Sequence, residues 1–167
     1  MASNMFLAFA TVDGDVPGES VVDGFTNQIE LTGWSWGVSQ VGAAGSAAGG
    51  TTGTANVSDL VLTGVADKSC PVLSQAAGLG THLGTCTLTV CRSGGDLNPA
   101  MTIVTTGGIL SNMQLSGSSA GGTYLTTMSF SINFSTIAIE YFPQDATGAS
   151  GAATTGSIDV AGSSKGS

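Results

Sequence analysis

Apolar and polar side chains alternate along most of this chain, which predicts strands rather than helices. Residues 5–11 read as a first strand, residues 57–66 as a later one, and residues 82–92 set cysteine, leucine and valine opposite threonines. Successive side chains of a strand point to opposite faces of a sheet, so the two later segments present different side chains on their two faces. Residues 5–10 are apolar throughout, as expected for a buried strand. Residues 101–104 and 109–115 are shorter strands that we expect to pair across the glycine pair between them.

The segment 29–40, IELTGWSWGVSQ, holds both tryptophans of the chain. Its apolar side chains lie on odd positions up to Leu31 and on even positions from Trp34 and Trp36 onward. One extra residue in a bulge shifts the alternation by one, and glycine tolerates the backbone angles of a bulge. We therefore predict one long, bent strand with a bulge at Gly33, turning the corner of a barrel.

A second change of alternation occurs in residues 124–141, where large side chains occupy even positions up to Phe134 and odd positions from Ile137. The same reasoning predicts a bulge near residues 135–136 in a second long strand. The large apolar side chains of these two strands are the predicted structural core: Trp34, Trp36, Phe130, Ile132 and Phe134.

One short helix interrupts the strands. Ser69 is a favourable N-cap residue, Pro71 stands in the first turn where its missing N–H is tolerated, and glycines at 78 and 80 end the helix. Its predicted apolar stripe includes Val72 and Leu73. The pattern predicts a mainly β fold, an antiparallel β-barrel or curved sandwich with one short α-helix, in a single domain spanning residues 1–167.

Between these elements lie segments without a periodic pattern. Residues 12–27 contain several turn-forming pairs and are predicted to be irregular. Residues 42–54 are a low-complexity run of Gly, Ala, Ser and Thr, too poor in large side chains to form a core, and residues 145–167 are a small, polar tail. Within that tail, Ile158 and Val160 are the large side chains that a short edge strand would use.

Charge is scarce: 8% of the residues are charged, against about 25% in a typical protein, and the net charge is −8. Three basic residues cannot neutralise a run of phosphates, which excludes nucleic acid as a partner, and no apolar run is long enough to insert into a membrane. Low surface charge also removes the repulsion that keeps chains apart, which favours self-assembly. We expect the few ions to pair within the barrel, the carboxylates being Glu30 and Glu140 and the cations Lys68 and Arg92.

Residues 33–37, GWSWG, match the G-x-S-x-G motif of serine hydrolases, and Ser35, Asp67 and His82 follow in the hydrolase order. That motif requires a sharp turn from a strand into a helix, and here strand-like residues continue on both sides. The chain also lacks the alternation of strands and helices that such enzymes have. We therefore predict no catalytic site.

A metal or cofactor site is not predicted either, because the chain has one histidine and no C-x-x-C pair. The three cysteines, at 70, 86 and 91, are expected to be small buried side chains.

Several short motifs occur together in an order that resembles one known family. The segment from Ile29 to Gly37 comes after MFL at 5–7 and GES at 18–20, and is followed by DKSCP at 67–71, GTH at 80–82, RSGG at 92–95 and EYFPQ at 140–144. From about residue 5 to about residue 144 the chain resembles the Hcp family, the tube proteins of type VI secretion. The resemblance implies a β-barrel with one helix, which the periodicity predicts independently.

The resemblance further implies subunits that assemble into hexameric rings and stack into a tube within a contractile apparatus, with sheath, spike and small effector proteins as partners. It implies that residues 42–54 reach a neighbouring ring, a ring-stacking loop that includes Gly42, Ala43, Gly45, Gly49, Gly50, Thr51 and Thr52. A free-standing extracellular filament of the same rings is the alternative, followed by a small-ligand-binding barrel.

No lysine or arginine precedes the apolar run at residues 5–10, so we expect a chain made in the cytoplasm and secreted without a signal peptide.

Overall fold

The computed structural model describes residues 4–40, 55–94, 97–119, 122 and 125–160. These residues form two antiparallel sheets, a two-stranded ribbon and one helix. The arrangement confirms the predicted class, a mainly β fold with one short helix.

The strands and the helix have the following bounds, in chain order. The strands are β1 Met5–Thr11, β2 Gly14–Val16, β3 Ile29–Glu30, β4 Gly33–Ser35, β5 Val38–Ser39, β6 Asn56–Val57, β7 Leu60–Val65, β8 Thr85–Cys91, β9 Pro99–Thr106, β10 Ile109–Ser118, β11 Leu125–Asn133, β12 Thr136–Tyr141 and β13 Thr154–Asp159. The helix α1, Cys70–Leu79, lies between β7 and β8.

The larger sheet has seven strands in the order β13-β12-β9-β8-β1-β2, with β3 also paired to β1. The smaller sheet has four strands in the order β10-β11-β7-β4, and β5 and β6 form the ribbon. The first strand, β1, lies where the apolar run predicts it, and the tail contributes the edge strand β13 that the pattern allowed. The segment predicted to be irregular, residues 12–27, also contains the short strand β2.

The chain passes from one sheet to the other three times through just two residues, at 31–32, 107–108 and 134–135. Two linking residues leave three Cα steps between strand ends, a reach of about 10 Å, which is the usual spacing between packed sheets. Two of these crossings coincide with the changes of alternation. The predicted bulges at Gly33 and near 135–136 are therefore wrong: the apolar face changes because the chain enters the opposite sheet.

The predicted pairing of residues 101–104 with residues 109–115 is also wrong. Strand β9 pairs with β8 and β12 in the larger sheet, whereas β10 pairs with β11 in the smaller one. Gly107 and Gly108, with φ of 70° and 89°, turn the chain between the sheets instead of closing a hairpin.

The core lies between the two sheets. Phe9 of the larger sheet meets Phe130 of the smaller one edge to face, with ring centroids 6.3 Å apart. Aliphatic side chains that are fully buried surround this pair, among them Leu7, Ile29, Leu60, Leu62, Leu88, Ile103 and Ile132. Burying a side chain of this size stabilises the fold by about 1.5–3 kcal/mol, so these residues supply most of the apolar stabilisation.

Helix α1 begins at Ser69 as predicted, but the Ser69 hydroxyl donates to the Asp67 carboxylate and caps no helical N–H. The helix ends at Gly80, which is left-handed with φ of 64°. Leu73 is buried, whereas Val72, predicted to share its apolar stripe, is 44% exposed. No helix among the described residues is long and apolar enough to span a membrane.

Candidate functional site

The G-x-S-x-G motif does not form a nucleophile elbow. Ser35 is the exposed last residue of β4 and lies opposite Val61 in the smaller sheet, so no helix follows the serine. Asp67 accepts a hydrogen bond from the Ser69 backbone N–H at 2.9 Å and so stands at the start of α1. His82 makes an isolated β-bridge with Ile109 instead. The structure thus places the three hydrolase-like residues in a strand, a helix start and a bridge between sheets.

The sulfur atoms give no sign of a metal centre. All three cysteines are buried and free, and among the described residues no group of three His, Cys, Asp or Glu side chains could hold a metal ion. The Cys70 thiol lies 3.4 Å from the Met128 thioether. Burial raises the pKa of the Cys86 thiol, which lies 3.6 Å from the Ala10 carbonyl oxygen.

Of the five predicted core residues, Phe130, Ile132 and Phe134 are buried. Trp34 and Trp36 are only half-buried and pack against the rim of the core. The indole N–H of Trp36 is shielded from solvent and has no hydrogen-bond partner among the described residues. The indoles stay at the rim because their segment leaves the larger sheet at residues 31–32 and forms the outer strand of the smaller one.

The predicted ion pairs are not formed within the described part of the chain. Arg92 donates to two backbone carbonyl oxygens, that of Pro99 at 3.4 Å and that of Phe142. It therefore fastens the ends of β8, β9 and β12 together. Glu140 accepts a long hydrogen bond from the Thr102 hydroxyl, at 3.4 Å, and Lys68 is exposed. Exposed ion pairs contribute about 0–1 kcal/mol, whereas carbonyls at strand ends need donors, which explains why Arg92 serves the backbone.

Glu30 lies elsewhere, in an open groove of about 570 Å³ that also contains Glu19 and Asp67. The groove lies at the surface, because the space between the sheets is filled by side chains such as Phe130 and Leu62, both 0% exposed. The predicted ring-stacking loop, residues 42–54, lies outside the described residues.

The outer face of the smaller sheet carries no ionisable side chain within its strands. Cross-strand register places Ser35, Val61, Ser131 and Asn112 in one row. The following rows contain hydroxyl, amide and aliphatic side chains: Gly33, Thr63, Ser129 and Gln114, then Val65, Thr127 and Ser116, then Leu125 and Ser118. Asp59 stands at the margin of this face and accepts hydrogen bonds from Ser111, at 2.6 Å, and Asn133, at 2.9 Å.

Two long strands lie at sheet edges. Among the described strands, β13 pairs only with β12, and β10 pairs only with β11. Natural proteins usually protect such edges with charges or prolines, because an unprotected edge accepts another strand. Strand β10 has neither along its ten residues, and neutral faces and open edges together make a surface suited to contact between protein chains.

The sequence reasoning did not identify the exposed face of α1. Val72, Gln75 and Leu79 share that face by their spacing, and Leu79 is 73% exposed. Leu79 lies three positions after the buried Ala76, so the spacing alone does not show that its side chain points away from the core.

Comparison with known proteins agrees with this geometry. Residues 9–141 match the family described as "Type VI secretion system effector, Hcp". The chain is 36% identical over 149 residues to Protein hcp1 of Pseudomonas aeruginosa, covering 89% of both chains.

Solved structures share the fold. A type six secretion system protein superposes with a TM-score of 0.85 at 26% identity, covering 97% of this chain and 98% of the other. Hcp1 from Salmonella typhimurium superposes with a TM-score of 0.76 at 24% identity, covering 97% of each chain. The family match over residues 9–141 and the 36% identity to Protein hcp1 show that the chain belongs to the Hcp family, the tube proteins of type VI secretion.

Proposed function

We propose that six copies of this chain form a ring, and that the rings stack into the tube of a contractile type VI apparatus. The family membership supports a tube subunit. The observation that carries the proposal is the combination of two long sheet edges, β13 and β10, which no other described strand covers, with a smaller sheet whose strands carry no charge on their outer face. Strand-to-strand contact and neutral faces permit close packing of copies without burying ions.

Electrostatics favours the same arrangement. A net charge of −8 per chain becomes −48 in a ring of six, which repels unless the acids point away from the contacts. The acids that the structure describes lie in the open groove, in turns and at strand ends, among them Glu19, Asp67 and Asp145. Neutral contact surfaces with acids outside them let such a ring form at neutral pH.

The ring-stacking role of residues 42–54 rests on the ribbon. Val38 lies opposite Val57 and Ser39 opposite Asn56, so the two short strands on either side of the segment pair with each other. A connection of 13 or more residues of mainly Gly, Ala, Ser and Thr is long for two paired strands, which supports a role in contact with a neighbouring ring.

The protein acts as a structural part rather than an enzyme in this proposal, and it is made in the cytoplasm and leaves the cell through its own apparatus. Sheath, spike and small effector proteins are the partners, supported by the family alone. The unprotected edges and the neutral sheet face are features of a self-associating protein and need no cofactor.

Electron microscopy and sedimentation of the purified protein test the function. Rings of six copies, alone or in short stacks, are the expected result. Spontaneous long fibres would favour the free filament, and a monomer at all accessible concentrations would contradict the tube.

A further inference from the structure

The outer face of the larger sheet carries a continuous row of small side chains. Cross-strand register aligns Ala8, Thr87, Val104, Ala138 and Ser157 across five strands. Their neighbours along each strand point into the core, so this row faces outward. Four strand spacings make the row about 19 Å long. The outer face of the larger sheet therefore presents an extended surface that no described part of the same chain covers.

The row ends in two depressions. One, of about 440 Å³, lies over Ala8 beside the loop that contains Asp15 and Gln28. The other, of about 200 Å³, lies over Val104 and Ala138. The Gln28 side-chain oxygen is shielded from solvent and has no hydrogen-bond partner among the described residues. The five residues of the row carry no ionisable side chain, but Asp15 and Asp159 line the two depressions and Glu140 lies two positions from Ala138 in β12.

Helix α1 has the complementary features. Its ten residues, CPVLSQAAGL, include no charged side chain, and they span about 15 Å. Leu73 and Ala76 bury one face in the core of the smaller sheet, while Val72 and Leu79 leave an apolar face exposed. The helix belongs with β10, so it cannot reach the outer face of the larger sheet within its own chain.

We propose that α1 of one copy packs onto the row of small side chains of the next copy. The lengths match, and small side chains let a helix approach closely. Neither α1 nor the row itself contains a charged side chain, so the desolvation cost of an ion is avoided where Glu140 and Asp159 stay at the margins of the contact. Two different patches meet, so the contact is head-to-tail, the kind of interface that generates a ring or a helical filament. The inference rests on the proposed function, since it names the surfaces that meet within the ring.

Cross-linking tests the contact directly. A chain with Leu79→Cys mixed with a chain with Ala138→Cys should form covalent dimers under mild oxidation. The control replaces Leu79→Cys by Val21→Cys, which is more exposed, 89% against 73%, and lies outside α1, in the segment between β2 and β3. Cross-linking of the control as fast as the test pair would overturn the inference.

Assembly provides a second measurement. Leu79→Asp should raise the concentration for half-assembly at least about tenfold, whereas Val21→Asp should leave it unchanged. Circular dichroism should show that both variants keep the fold, because both side chains are exposed in the single chain. If Leu79→Asp chains form rings normally and the Leu79→Cys and Ala138→Cys chains do not cross-link, the proposed contact is contradicted while the tube function is unaffected. A wild-type protein that never assembles would contradict the tube function itself.

Discussion

The crossing at Gly107 and Gly108 offers the most direct test of the fold. A Cβ atom added at Gly108 would overlap the backbone of the neighbouring crossing: it would collide with the Asn133 carbonyl oxygen and lie 2.8 Å from the Phe134 Cα. These are backbone atoms, so no side chain can rotate away. The change Gly108→Ala must therefore push two crossings apart.

The structure also supplies a matched control. Gly24 has a similar positive φ, 81° against 89° for Gly108, but a Cβ there would meet nothing within 4 Å. Gly24→Ala therefore measures backbone strain alone, about 1–2 kcal/mol. Gly108→Ala adds the overlap and should cost more than about 4 kcal/mol, a large part of the 5–15 kcal/mol that stabilises a typical domain.

Thermal denaturation at one fixed protein concentration measures the difference, because ring formation stabilises both variants by mass action. For a chain of this size about 1 kcal/mol shifts Tm by roughly 2–4 °C. Gly24→Ala should lower Tm by about 2–8 °C, and Gly108→Ala by well over 10 °C or to the point of insolubility. Equal melting of the two variants would refute the close approach of the crossings.

Three further outcomes follow from the structure. Phe130→Ala should lower the free energy of unfolding in urea by about 3–5 kcal/mol, and Trp34→Ala should lower it clearly less, because the phenyl ring is fully buried and the indole is half-exposed. The reverse order would show that the indole belongs to the core. Hydrogen bonds from Thr147 lower the pKa of the Asp145 carboxyl, so the turn between β12 and β13 gains stability above the ordinary carboxyl pKa and loses it as pH falls through the lowered value. Proteolysis of that turn should accelerate only at strongly acidic pH. In sedimentation experiments the rings should persist from pH 7 to about 4. Rings that dissociate by pH 4 would show that an ionised carboxylate stabilises the contacts between subunits. Shortening residues 42–54 should leave rings intact and weaken stacking in electron micrographs, and unchanged stacking would reduce that segment to a linker.

Local chemistry made part of this fold predictable. Strand β1 follows from its short apolar run, and α1 from its serine, proline and glycine signals, because each depends on neighbours in sequence. The changes of alternation at Leu31 and Phe134 were also visible. Alternation alone cannot distinguish a bulge from a move to the other sheet, since both reverse the buried face.

Strand pairing was less accessible, because it depends on residues far apart. Nothing local separates a hairpin at Gly107 and Gly108 from a crossing between sheets, as glycine suits both. The same holds for Arg92. A lone arginine in a chain with few charges suggests an ion pair with a glutamate, but carbonyls brought together by β9 and β12 accept its hydrogen bonds instead. Predicting which face of α1 is exposed requires knowing which side of the helix faces the core.

The three short crossings have a mechanical consequence. Neither sheet can peel away while the other stays folded, because each link is too short to slacken and two links lie against each other at Asn133. A force applied to one subunit is therefore distributed over both sheets. Amide hydrogens at the centres of β8 and β11 should therefore exchange with solvent through the same opening event, because both become exposed only when the whole subunit unfolds. A subunit with this construction would transmit a sudden axial force without the two sheets separating.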